Sequence, residues 1–492
     1  MAYIAGFDLG TQSAKLLILD TVTKKTVALD SFTYPLIVKD GGVREQEASY
    51  WEESLETLFK RVDEKIRSQI ISIGVSGQQH GFVPMDKDGK VLSPVKLWCD
   101  TSTATECEEL TAKLGGVDKV YSLIQNRILP GYTVGKVYAY KKYQSNLFDK
   151  MEHILLPHDY INYLLTGRYV TESGDASGTA YFNIEKKEWA WEVLEAIDPD
   201  KGWKNVLPTL VPSTSAIGTV SREAAAKYGI PESVTVSAGG GDNMMCAIGL
   251  GVVKDGMMAI SMGTSGTLFA LSEKPVIDRE GTLAAFCSSS GAYLPLLCTM
   301  NCTVASENVR ALLDMDVKTL DKEAEKAGIG AGGLIMLPYL NGERSPNYPN
   351  GKGLISGFTS ANMTKENIAR ASLESAVYSL RTGLEPFQKA SFNARAIALS
   401  GGGAKSPLWR QMVSDVFSLP VKVAKIGENA ALGAAVQGYS AATGVSIEKA
   451  AEELVEFDET KTCFPIKGNS LKYDKVFKLY KDYEKTLSPL FS

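Results

Sequence analysis

Apolar runs and polar turns alternate in a regular order over the first 76 residues. Tyr3 to Phe7 is a short apolar run of the kind a buried strand makes, and the turn-forming Gly10-Thr11-Gln12-Ser13 follows it. Lys15 to Leu19 predicts a second strand and Thr26 to Leu29 a third. From Ala48 the apolar positions are Ala48, Trp51, Leu55, Leu58, Phe59, Val62 and Ile66, and steps of three and four place them on one face of a helix. Ile70 to Val75 then predicts a fourth, buried strand. The predicted order is strand, strand, strand, helix, strand.

Halfway along the chain the opening recurs. Met257 to Met262 predicts a strand, Gly263-Thr264-Ser265-Gly266 a turn, and Thr267 to Leu271 a returning strand. Further strands are predicted at Tyr293 to Leu297 and Ala396 to Leu399, with helices over about 364–390 and 407–418. Two Gly-Thr turns, each joining two apolar strands and half a chain apart, suggest a duplicated α/β unit. The expectation is two domains, 1–247 and 248–492, with both turns facing one cleft. No low-complexity linker separates them, so a hinge is expected rather than a tether.

A chain of 492 residues is long for a single domain. The formal net charge of −5 argues against nucleic acid or an anionic membrane as partner, because both need a basic face. The N-terminus lacks the basic and apolar regions of a signal peptide, and no apolar run is long enough to span a bilayer. The seven cysteines are scattered without a Cys-x-x-Cys pair; Cys298 and Cys302 would lie one turn apart on a helix. Buried reduced thiols in a cytoplasmic protein are expected, and no zinc site.

Several segments carry candidate chemistry. A strand–turn–strand with Gly and Thr at its tip suits phosphate, because glycine admits a close approach and the amides and hydroxyls donate. Asp8 ends the first strand beside such a turn, a natural place for Mg²⁺; Lys15 would add positive charge. A plain hairpin is the competing reading of either turn alone. Gly239-Gly240-Gly241-Asp242-Asn243 clears side chains from around one acid, which could take the proton of an attacking hydroxyl or cap the following helix. Gln79 and His80, within Ser76 to Gly81, suit polyol recognition or a structural loop; Asp100 and Asp175 are further acids for hydroxyls or turns. Ser400-Gly401-Gly402-Gly403-Ala404 lies between a predicted strand and helix, where a nucleotide can be contacted, without the spacing of a P-loop.

Taken together, Asp8 to Thr11, Ser76 to Gly81, Leu97 to Asp100, Leu155 to Tyr160, Asp175 to Thr179, Gly239 to Asn243, Gly263 to Gly266, Leu337 to Pro346 and Gly401 to Ala404 resemble, in this order, the FGGY carbohydrate kinases. The resemblance implies two actin-like, ribonuclease H-like ATPase domains with ATP and sugar in the cleft between them. It implies that Asp242 is the base, that Asp8 lies by Mg²⁺, and that the turns of Thr11, Gln12 and Gly263, Thr264, Ser265 hold phosphates. Gly402 and Gly403 would line the adenosine pocket, while Gln79, His80, Asp242 and Asn243 would reach the sugar. The implied reaction is ATP-dependent phosphorylation of the terminal hydroxyl of D-xylulose to the 5-phosphate. Members acting on xylulose commonly carry Met where Gln79 stands and Asn where Cys99 stands. Ribulose, gluconate, a deoxyhexulose or glycerol are the alternative substrates, and an actin-like ATPase without sugar transfer is the alternative from another class. Family analogues often form homodimers, although the sequence holds no interface signal.

Overall fold

The computed structural model describes residues 2–491. Strands β1 (Tyr3–Leu9), β2 (Ser13–Asp20) and β3 (Thr26–Thr33) form an antiparallel meander. Helix α1 (Ala48–Arg61) buries Trp51, Leu55, Leu58 and Phe59 and leads to β4 (Ile70–Gly77), which pairs parallel to β1. Helices α2 (Thr133–Tyr143) and α3 (Pro157–Thr166) precede β5 (Ala216–Thr219), β6 (Thr235–Ser237) and the two-residue β7 (Gly240–Gly241). The sheet order is β5-β6-β4-β1-β2-β3, with β7 also on β4. Helix α4 (Asp242–Gly249) follows directly.

The second half rebuilds this plan. Strands β8 (Met257–Met262), β9 (Gly266–Ala270) and β10 (Leu296–Thr299) form a meander. After α5 (Lys365–Arg381), β11 (Ala396–Gly401) pairs parallel to β8. Helix α6 (Pro407–Phe417) leads to β12 (Val421–Lys422), and α7 (Asn429–Thr443) follows. The order β10-β9-β8-β11-β12 repeats β3-β2-β1-β4-β6, with the same sense at every pairing. The duplication suggested by two short turns therefore extends through five strands of each sheet.

Some expectations shift. The helix over 364–390 divides into α5 and a short helix at Leu384–Lys389. Pro386 has no N–H to continue the ladder, and its ring excludes the carbonyl four residues earlier. The strand expected at Tyr293 moves to Leu296–Thr299. Cys298 lies on that strand while Cys302 caps the next helix, so they do not share a helical turn; all seven cysteines are free thiols. The sheets change over between α4 and β8, so a division at 247/248 falls within the last turn of α4. Helix α7, far into the second half, returns to the first sheet, where Ala431, Leu432 and Ala435 share a core with Ile4, Leu17, Met245 and Ile248. It lies so close that a Cβ at Gly433 would overlap the Met245 carbonyl and one at Gly74 the Ala434 carbonyl. Among the described residues no helix is long and apolar enough to cross a membrane.

Candidate active site

The first Gly-Thr turn is held from three directions. Gly10 closes it by donating to the Ser13 carbonyl at 3.0 Å. The Tyr34 hydroxyl donates to the Gly10 carbonyl at 2.5 Å, and Gln46 Nε2 to the Thr11 carbonyl at 2.7 Å. Trp98 Nε1 donates to Thr11 Oγ1 at 2.9 Å, which leaves the Thr11 proton free to point elsewhere. Gln12 is exposed at the tip. The second turn is one residue shorter: Gly263 donates to Ser265 at 3.1 Å, and Thr264 and Ser265 are exposed. The Gly263 and Thr264 carbonyls accept from Thr303 and Cys302 at 3.0 Å, fixing the tip to the following helix. Met262 is paired with Gly401, so the glycine loop starts beside this turn. In that loop Gly403 presses on Trp409, where a Cβ would stand 2.6 Å from the ring, and Arg410 Nη1 donates to the Ala404 carbonyl at 2.9 Å.

Asp242 stands where the glycine ledge meets α4. Gly241 is the N-cap and Asp242 the first helical residue, so the carboxylate does not cap the helix. Its Oδ1 accepts from the Asn243 amide at 2.8 Å and from Asn243 Nδ2 at 3.0 Å, and Asn243 Nδ2 also donates to Gln79 Oε1 at 3.0 Å. A Cβ at Gly241 would stand 2.6 Å from Gln79 Cγ, so glycine here is what lets the two segments meet. Burial, followed by the charges of Asp8 and Asp175, pushes the Asp242 carboxyl up to about 7. Asp8 accepts from Ser76 Oγ at 2.6 Å; burial raises its carboxyl, against the opposing effects of Ser76 and Lys15. Lys15, opposite Asp8 on β2, is ion-paired with Glu428, just before α7.

The remaining candidates divide. Gln79 is buried and its Nε2 has no partner among the described residues. His80 has a left-handed backbone, φ 64°, and its ring packs against Tyr132 and Phe286. Burial and then the charges of Lys136 and Arg344 hold its pKa well below the ordinary value, so the ring is neutral. Asp175 Oδ2 meets His158 Nδ1 at 2.7 Å, while its buried Oδ1 is unpartnered. Burial raises the Asp175 carboxyl to about 6 against the lowering effect of His158. For His158, burial is outweighed by Asp159 and Asp175, and its pKa stands well above the ordinary value. Asp100 corrects an expectation. Its Oδ1 accepts from the Ser102 amide and hydroxyl and its Oδ2 from the Arg44 amide and Lys96, so no lone pair remains for a sugar hydroxyl. It ties down the loop that carries Trp98, and those bonds hold its pKa low despite burial.

The arrangement therefore puts a carboxylate with a near-neutral pKa next to Asn243, which bonds Gln79, and in the field of Asp8, whose strand leads into the first Gly-Thr turn, while the second turn adjoins the glycine loop. Family models agree with it. The N-terminal domain of the FGGY family of carbohydrate kinases matches residues 3–249 and its C-terminal domain residues 258–442. The chain belongs to the FGGY family of carbohydrate kinases. It is 40% identical over 482 residues to the xylulose kinase of Haemophilus influenzae, covering 96% of this chain and 98% of that protein. The crystal structure of a "xyloylose kinase" from Brucella ovis superposes with a TM-score of 0.92 at 28% identity, covering 99% of this chain and 100% of that one. A gluconate kinase from Lactobacillus acidophilus superposes with a TM-score of 0.91 at 25% identity, covering 100% and 99%.

As an FGGY kinase the chain is an enzyme that phosphorylates a carbohydrate. Sequence reasoning missed several groups that shape its site. Tyr34 and Gln46 fix the first turn, and Gln46 Oε1 accepts from Trp51 and Gln78 as well. Glu428 meets Lys15 across 413 positions, and nothing in the spacing of either segment joins them. His158 had a legible signal, a histidine flanked by Pro157 and Asp159, but its partner Asp175 is only brought to it by folding.

Proposed function

We propose that this FGGY kinase transfers the γ-phosphoryl of ATP to the terminal hydroxyl of D-xylulose, giving D-xylulose 5-phosphate and ADP. The observation that carries the reading is the Asp242 carboxyl at about 7, linked through Asn243 to Gln79. A base of that pKa is about half ionised at neutral pH and still basic enough to take a proton as the hydroxyl attacks phosphorus. The unpartnered Gln79 Nε2 and Asp175 Oδ1 are a donor and an acceptor suited to sugar hydroxyls, and the neutral His80 adds a group able to do either. The turns of Thr11 and Thr264 take the phosphates, and Gly402 and Gly403 border the adenosine. Likeness to xylulose kinases over nearly the whole chain supports the choice of sugar.

Asp8 fits Mg²⁺ in a particular way. Among the described residues no group of three His, Cys, Asp or Glu could hold a metal, so an ion here would take Asp8 together with phosphate and water oxygens, which is how Mg²⁺ prefers to bind. Bound there, it would neutralise charge on the transferring phosphoryl group. The chain's own residues do the rest. Asp242 receives the proton, Gln79 and Asn243 fix the hydroxyl, and approach of the two halves excludes water as a competing acceptor. Free thiols throughout fit a cytoplasmic enzyme.

A panel of D-xylulose, ribulose, gluconate, a deoxyhexulose and glycerol, read by coupled ADP release, tests the sugar. D-xylulose is expected to give the highest kcat/KM by at least roughly tenfold, a margin that a few hydrogen bonds supply. Preference for gluconate would overturn the assignment but not the chemistry; ATP hydrolysis indifferent to every sugar would overturn both.

A further inference from the structure

Lys136 is fully buried on the first turn of α2, and its ammonium donates to two backbone carbonyls, His80 at 2.6 Å and Gly131 at 2.8 Å. Thr133 Oγ1, on the same helix, donates to the same His80 carbonyl at 3.2 Å. Asp100 acts on Lys136 only through space, being itself bonded to Lys96. Burial pushes the Lys136 ammonium down to about 7, the sign of a costly placement. A methionine would fill similar space without that cost, so the donors themselves have a use.

The use lies in where they point. His80 is a non-glycine residue in the left-handed region, a conformation that a β-carbon disfavours and that survives only where its surroundings hold it. Its carbonyl leaves the turn that carries Gln79 and His80. Rotating that peptide would disturb the turn that holds Gln79 Oε1 against Asn243 Nδ2. On the other side, His80 is pressed against Gly178, where any Cβ would overlap its ring. The turn is thus clamped between Gly178 at its side chain and α2 at its backbone.

We propose that Lys136, seconded by Thr133, is a positioning residue for sugar recognition. Together they hold the His80 carbonyl and fix the left-handed turn from which Gln79 and His80 face the substrate. The inference rests on the reading of Gln79 and His80 as the sugar-binding turn. The positive charge of Lys136 also helps keep His80 neutral, so one group serves both the geometry and the hydrogen-bonding state of the turn.

The test compares Lys136→Met, Thr133→Val, His80→Ala and the double variant His80→Ala/Lys136→Met in steady-state kinetics with D-xylulose. Thermal melts and sugar-independent ATP hydrolysis are measured alongside. Lys136→Met is expected to raise the sugar KM roughly 10- to 100-fold, as misplacing a recognition group does, with the KM for ATP and the sugar-independent hydrolysis unchanged. Thr133→Val is expected to raise the sugar KM several-fold, and Lys136→Met to add little once His80 is alanine. A folded Lys136→Met with wild-type sugar KM overturns the proposal, as does a loss shared equally by sugar-independent hydrolysis. If Lys136→Met does not fold, the near-isosteric Thr133→Val decides, and an unchanged sugar KM overturns it. A His80→Ala enzyme with unaltered sugar KM instead removes the sugar-turn reading on which the proposal stands.

Discussion

Asp242→Asn is expected to lower kcat with D-xylulose by roughly 10²–10⁴-fold, the contribution of a positioned general base. Asparagine keeps the shape and can still accept from the Asn243 amide, so the loss isolates the proton acceptor. In the wild-type enzyme kcat/KM for the sugar should climb with pH and level off above a midpoint of about 7, and the Asn variant should lack that limb. Stability should move the opposite way. The folded Asp242 carboxyl is raised above its unfolded value, so its contribution is complete below pH 4 or so and is lost as pH rises through about 7. At pH 8 the ionised carboxylate is a liability, created by burial beside Asp8 and Asp175, and asparagine removes it. The variant should therefore be nearly inactive and melt a few degrees higher than wild type at pH 8, with the gap narrower at pH 5 and gone by about pH 4. Near wild-type turnover would remove Asp242 as the base. A lower melting temperature at pH 8 would mean that its carboxylate is stabilised by contacts the geometry does not contain.

Gly433→Ala should destabilise the protein by about 3 kcal/mol, the upper end of overpacking penalties, and lower the soluble yield. Helix propensity alone predicts the reverse, since alanine in the middle of a helix gains about 1 kcal/mol over glycine. The sign is decided by packing. A Cβ at Gly433 overlaps the Met245 carbonyl of α4, a backbone atom that no rotamer change can move aside. Helix α7 would have to lift from α4 and from β4, where Gly74 meets Ala434 equally closely. Because α4 begins at Asp242 and α7 begins next to Glu428, such a shift also disturbs the Asp242 carboxylate and the Lys15 ion pair. Thermal melts of Gly433→Ala against Ala434→Gly, a change that opens space instead, would separate the two effects. A Gly433→Ala protein at least as stable as wild type would show that α7 is free to move off α4.

How much of the structure is legible in the sequence follows the range of the interactions concerned. β1, β2 and β4 were legible because their apolar runs record burial on both faces, and α1 because its period records burial on one. The break at Thr382–Gly383, just ahead of Pro386, was legible in principle from proline's missing donor but was hidden inside a continuous helical pattern. The motifs that place Asp242, Gln79 and the two turns are local, and glycine next to a functional side chain leaves a record in the order of residues. Asp100 had the look of a sugar-reading acid, and only the four donors around it reveal a loop anchor.

The amino-acid order by itself determined the repeated strand pattern, the family resemblance and the identity of the candidate base. Backbone preference and hydrophobic periodicity act over a few residues and so can be read directly. The tertiary structure alone decided what surrounds that base: the pKa-raising neighbours Asp8 and Asp175, the Lys15–Glu428 pair, the Lys136 anchor and the return of α7 to the first sheet. Those depend on desolvation and on charges brought together across hundreds of residues, and neither quantity exists until the chain has folded.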